Sequence, residues 1–196
     1  MRWSRTSVAV ALAATGTLAV GALASCAQQA APSATAQATP AAACPDGDQI
    51  VLFEEDAAEL AGCRAIPGDL TVGPSLTLAS LVELGKLERV DGSLEVSGNP
   101  QLSGLFLGRL TSVGGQLVID GNDQMVTASL HRLQKVGGEV LITDNDVLDR
   151  LDLSALLYVG GRLEVSGHPR LSVLSLTHPD VMRGIQIFDN PALSRP

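Results

Sequence analysis

The residues of this chain that could do chemistry are few and spread out. Its three histidines, His131, His168 and His178, lack the serine and aspartate neighbours of a nucleophilic triad and the clustering that holds a transition metal. Glu95 and Glu164 stand in similar phrases, Val-Asp-Gly-Ser-Leu-Glu-Val and Val-Gly-Gly-Arg-Leu-Glu-Val. As a pair they would be an acid and a base for glycosidic work if held about 5 to 9 Å apart. Asp120, Asp123, Asp144, Asp146, Asp149 and Asp152 form a second acidic set, and carboxylate oxygens of this kind are what Ca²⁺ accepts. What either set can do depends on the spacing that the backbone imposes.

That spacing is periodic. The phrase at 90–96 returns as Val-Gly-Gly-Gln-Leu-Val-Ile at 113–119, Val-Gly-Gly-Glu-Val-Leu-Ile at 136–142 and Val-Gly-Gly-Arg-Leu-Glu-Val at 159–165, each copy 23 residues after the last. The frame extends back to Ile66-Pro-Gly-Asp-Leu-Thr-Val, and forward to Val181-Met-Arg-Gly-Ile-Gln-Ile with its glycine slipped by one place. A period in this range held over five or six copies marks a solenoid. Within one copy, Leu117 and Ile119 alternate with Gln116, Val118 and Asp120, the period of a short strand with one buried face. Gly114-Gly115 serves a corner that needs positive φ or close backbone approach. Beyond it, Asn122, Met125, Ala128, Leu130 and Leu133 are spaced as short extended pieces joined by bends, not as one helix face. The fold class is therefore all-β, a parallel β-solenoid of about six rungs.

Stacking coils about 4.8 Å apart places equivalent residues in columns. Asn99, Asn122, Asn145 and Asn190, with His168 substituting once, form a ladder that satisfies corner backbone groups; His168 is read as a hydrogen-bonded stand-in. The outward strand positions are Thr71, Glu95, Val118, Leu141, Glu164 and Gln186. Glu95 and Glu164 are thus three rungs apart, about 14 Å, too far for a paired acid and base. The chain is read as no enzyme, and as having no cofactor. The aspartates are read as a solvated acidic edge, with calcium as the sharper alternative on Asp120, Asp123, Asp144 and Asp146. Val118 and Leu141, flanked by Glu95 and Glu164, are the candidate partner-binding patch: an apolar centre with a charged rim. The last rung, Ile185-Gln186-Ile187 with Phe188, offers a second contact surface, for a partner or for self-association.

Upstream, Arg2 and Arg5 precede an uncharged run from Val8 to Ala24, the layout of a secretory signal. It ends Leu23-Ala24-Ser25-Cys26, which resembles the bacterial lipobox. The resemblance implies cleavage before Cys26 and acylation of that cysteine, so that residues 1–25 are a lipoprotein signal peptide. Acyl chains worth about 0.8 kcal/mol per buried CH₂ would then hold the protein on a membrane, at the outer membrane or cell surface of a bacterium. Residues 26–43, rich in Ala, Pro, Gln and Thr without charge or periodicity, are expected to be a disordered tether. With Cys26 acylated, Cys44 and Cys63 remain as an even pair in an oxidising compartment. Their spacing suits neither a zinc knuckle nor a redox pair, and a disulfide closing about 20 residues would contribute about 3 kcal/mol as a staple for an end cap. Of 13 Lys and Arg, loss of Arg2 and Arg5 leaves 11 against 21 Asp and Glu, which argues against nucleic acid as a partner.

From Cys44 to about Leu193 the chain resembles the receptor L-domain family, a right-handed β-helical domain of growth-factor-type receptors and fungal cell-wall glycoproteins. The resemblance rests on Cys44 followed by Ile50-Val51-Leu52, on Leu60-Ala61-Gly62-Cys63-Arg64-Ala65-Ile66-Pro67-Gly68-Asp69-Leu70-Thr71-Val72, and on the Gly-Gly-x-Leu-x-Ile-x-x-Asn-x-x-Leu repeats. It implies that residues 44–196 are one non-catalytic module that binds a protein or glycan. The chain departs from the family in a last rung without paired glycines and in lacking a closing cysteine pair. A leucine-rich-repeat horseshoe fits less well, because there Leu follows Asn after one residue and here after two. The runner-up functions are a structural envelope spacer and a polysaccharide-acting β-helix enzyme. Aromatics are limited to Phe53, Phe106, Tyr158 and Phe188 after the signal, and a scarcity of exposed rings counts against sugar binding by stacking.

Overall fold

A strand of three or four residues cannot bury its apolar face alone, and here every such strand lies beside its copy from the next repeat. The computed structural model describes residues 44–178 and 184–194; the signal, Cys26 and the tether fall outside that range. Three parallel sheets run along a β-solenoid of about six turns. The long sheet stacks Gln49–Val51, Leu70–Val72, Leu94–Ser97, Leu117–Asp120, Val140–Thr143, Leu163–Ser166 and Ile185–Phe188. A narrow sheet stacks Ala65–Ile66, Arg89–Val90, Ser112–Val113, Lys135–Val136 and Tyr158–Val159, and a third stacks Gly104–Phe106, Thr127–Ser129, Arg150–Asp152 and Val173–Ser175. The register is one repeat throughout the centre, Leu94 on Leu117 on Val140 on Leu163. At the last rung it shortens by one, Leu163 on Ile185, which is the slipped glycine of that copy.

The interior is a column of aliphatic side chains. Leu94, Leu117, Val140 and Leu163 are fully buried, as are Val96, Ile119, Ile142 and Val165 beside them. Each contributes about 1.5–3 kcal/mol by leaving water. No aromatic belongs to this core. Phe53, Phe106, Tyr158 and Phe188 are 54, 58, 52 and 47% exposed, so the rings are few but all lie at the surface, contrary to the expected scarcity there. Each coil offers one side-chain layer about 4.8 Å thick, which aliphatic residues fill in register with their copies above and below.

The paired glycines turn out to serve close approach. A Cβ on Gly114, Gly137 or Gly160 would lie 1.9–2.0 Å from a backbone oxygen of the preceding coil. Positive φ falls instead on the residue before each ladder position: Gly98, Gly121, Asp144, Gly167 and Asp189, with φ of 63, 59, 50, 74 and 54°.

The ladder forms. Asn122 Nδ2 donates to the Val96 and Asp120 carbonyls at 3.0 and 3.1 Å and to Asn145 Oδ1 at 3.1 Å, and its backbone N–H donates to the same Oδ1 at 3.0 Å. Asn99, Asn122, Asn145 and His168 are fully buried. In the second rung Pro74-Ser75 replaces Gly-Asn, and the Ser75 N–H goes to the Gly98 carbonyl at 3.2 Å. Asn99 Oδ1, the upper end of the ladder, is left buried without a partner among the described residues.

The two ends of the rod differ. At the first, the short helix Glu54–Glu59 buries Ala57 against the core, and the Cys44–Cys63 disulfide ties the entry of the first coil to the end of the turn that follows the helix. Asp56 fixes the helix start by accepting the N–H groups of Leu52 and Phe53 at 2.8 and 2.9 Å. At the other end Ile187, an inward position of the last strand, is 42% exposed.

Candidate functional site on the outward face of the long sheet

Strand register decides which outward side chains meet. In the central outward row Thr71 pairs with Glu95, Glu95 with Val118, Val118 with Leu141, Leu141 with Glu164 and Glu164 with Gln186. Val118 and Leu141 are therefore side by side, and Glu95 and Glu164 flank them one rung away on either side. All four are half-buried by their neighbours on the sheet.

The two glutamates are held in the same way, because each sits in the pentapeptide Leu-Glu-Val-Ser-Gly. The serine two residues on points to the same face, and its hydroxyl donates to the glutamate: Ser97 to Glu95 Oε1 at 2.8 Å, Ser166 to Glu164 Oε1 at 3.1 Å. Glu164 Oε2 also pairs with Arg162 at 3.0 Å, and Arg162 reaches Glu139 at 3.7 Å. The Arg162 end of these contacts is open to solvent, whereas Ser166 is buried and the Glu164 side chain is only 14% exposed. The effect of the contacts is positional: they keep the charges at the rim, one rung from the half-buried aliphatic pair.

The structure does not gather the chemical groups named from sequence into one centre. Three rungs separate Glu95 from Glu164. Among the described residues no group of three or more His, Cys, Asp or Glu side chains is arranged to hold a metal ion. Asp120 accepts the Thr143 hydroxyl of the next coil, and Asp144 occupies a left-handed corner. Asp149 accepts the Ser172 hydroxyl and pairs with Arg150 at 3.4 Å; the hydroxyl is the main reason its carboxyl lies below the usual range. Asp152 caps the Ser154 N–H at 3.0 Å.

His168 is buried in the ladder and faces no open surface. Its Nδ1 accepts the Asn145 N–H at 3.2 Å, which leaves Nε2 to donate to the Ile142 carbonyl at 3.1 Å. That arrangement needs the neutral ring, and burial holds its pKa below the ordinary histidine value. His131 sits on another corner, 3.1 Å from the Ser129 hydroxyl.

Two further surface features accompany the patch. At the open end of the rod a hollow of about 890 Å³ is lined by Pro169, Ile187, Phe188, Pro191 and Leu193. On the narrow sheet the Lys135 ammonium lies 5.6 Å from the centre of the Tyr158 ring, placing an aromatic and a cation together on the surface.

No family model matches the chain, and no curated protein matches its sequence.

Proposed function

We propose that this chain is a non-catalytic cell-envelope protein, exported and lipid-anchored through Cys26, that binds a protein partner on the outward face of its long sheet. One observation carries the binding reading: Val118 and Leu141 lie in register beside each other, with Glu95 and Glu164 placed symmetrically around them. A small aliphatic centre inside a charged rim on a flat, rigid surface is the anatomy of a contact patch. The envelope half of the reading rests on the Leu-Ala-Ser-Cys phrase at 23–26 and the basic and apolar segments before it. The Cys44–Cys63 disulfide is in keeping with an oxidising compartment. Among the described residues no helix is long and apolar enough to cross a membrane. Likeness to receptor L-domains in the Cys44-to-Val72 phrase and the Gly-Gly repeats supports a module that presents a surface.

The test is capture from envelope extracts with the wild-type chain beside a Val118→Asp/Leu141→Asp variant of unchanged melting temperature. Loss of a defined partner in the variant supports the patch. Equal capture by both chains moves the contact off this patch, and capture by neither leaves the rod as a spacer; either outcome overturns the patch. An enzyme would instead lose turnover of an envelope polysaccharide on Glu95→Gln or Glu164→Gln. Metabolic labelling with a fatty acid tests the anchor: label must appear in the wild type and vanish in Cys26→Ala, and an unlabelled wild type overturns it.

A further inference from the structure

A second surface lies at the corner between the third sheet and the narrow sheet. Backbone bonds fix the columns there: Thr111 N–H to Glu88 O, Gln134 N–H to Thr111 O, Leu157 N–H to Gln134 O. Two residues earlier in each coil stand Lys86, Arg109, Arg132 and Ala155. The strongly acidic chain thus stacks three cations at one position of three consecutive coils, about 4.8 Å apart. All three are exposed. The ion pairs of the described residues engage Arg64, Arg89, Arg150 and Arg162, and none of these three. The acidic positions Asp120, Asp123, Asp144 and Asp146 belong to a different corner, so the two charges are segregated around the rod.

This basic column borders a shallow groove of about 530 Å³ whose lining includes Arg109, Arg132, His131, Thr111, Gln134 and Glu88. The lining is mixed in a way that selects among anions. Guanidinium groups match a carboxylate with paired N–H donors. Thr111 and Gln134 offer neutral donors and acceptors between them. Glu88, whose other contact is Arg64 at 3.3 Å, can accept from hydroxyls. An extended acidic peptide would present same-side carboxylates every second residue, about 6.6 Å apart, out of step with the coils.

We propose that the Lys86–Arg109–Arg132 corner is a binding groove for a linear carboxylated glycan, a polymer with hydroxyls and uronate-type acids, running along the rod axis. The site is separate from the long-sheet patch and does not depend on it. The exposed Tyr158 ring, beside Lys135 on the adjoining sheet, extends the same surface by one more coil with a face on which a sugar can stack.

The experiment is titration calorimetry of the full chain with polygalacturonate, with neutral dextran and poly-aspartate as comparison polymers, at low and at physiological salt. Wild-type protein is expected to bind polygalacturonate, more weakly as salt rises, and to ignore dextran. Arg109→Gln/Arg132→Gln should weaken binding by about tenfold or more, the loss of about one charge-assisted hydrogen bond. Arg150→Gln/Arg170→Gln, with the same charge change elsewhere, should leave the affinity unchanged, as should Val118→Asp/Leu141→Asp. Melting temperatures matching the wild type exclude misfolding as the cause. No binding by the wild type overturns the proposal. So does an equal loss in the two arginine double variants, and so does poly-aspartate binding as tightly as the glycan, which would make the corner a docking site for acidic protein.

Discussion

Replacing His168 separates the ladder's hydrogen bonding from its shape. The residue joins three coils: Nδ1 takes the Asn145 N–H and Nε2–H goes to the Ile142 carbonyl, both on the preceding coil, and the backbone N–H goes to Asn190 Oδ1 of the next at 3.1 Å. In His168→Ala the first two backbone groups are orphaned in a site without solvent access, at about 1–3 kcal/mol each, and a cavity is added. His168→Asn restores the ladder: an amide there can donate to the Ile142 and Ser166 carbonyls and accept from Asn145, as Asn145 does one coil earlier with Ile119 and Thr143 at 3.1 and 2.7 Å. It is expected within about 1 kcal/mol of the wild type. Acidity gives the sharper measurement. Burial lowers the His168 pKa in the folded chain, while the unfolded chain takes up its proton near 6.5. The unfolded state therefore binds more protons below that value. The stability contributed by the neutral ring is complete above about pH 6.5 and is lost as pH falls from there toward the folded pKa. Between pH 7.5 and 5.5 the wild type should lose at most about 1.4 kcal/mol more than His168→Asn. His131 and His178 are common to both chains and cancel in the difference. Urea denaturation at the two pH values measures it. Parallel losses in the two proteins would refute the neutral-ring assignment.

The corners make two other predictions. Gly137→Ala puts a methyl group 2.0 Å from the Gly114 carbonyl oxygen, against backbone that cannot swing aside; stability should fall by about 3 kcal/mol or more, seen as a lower denaturation midpoint, and an unchanged midpoint would refute the close approach. Asp144→Gly removes a side chain from a left-handed corner at φ 50° and should raise stability by up to about 1 kcal/mol, read from the melting temperature.

Much of this was legible because a stacked repeat turns sequence offset into distance. Residues 23 apart become neighbours, so the outward row Glu95, Val118, Leu141, Glu164 and the asparagine ladder follow from counting, and both stand in register in the structure. The helix Glu54–Glu59 was not legible, since it occurs once and breaks the period. Nor was the role of the glycine pairs, because positive φ and close approach leave the same residue in a sequence. The basic column was hidden for a different reason. Arg109 and Arg132 are one repeat apart and Lys86 one repeat earlier, but the total charge of the chain is acidic and masks them. In a solenoid, charge has to be counted by column, since a rod of negative net charge can still carry a continuous cationic edge. The same logic applies to its aromatics: the tight stacking that leaves the interior to aliphatic side chains puts Phe106, Tyr158 and Phe188 on the outside, where a partner can reach them.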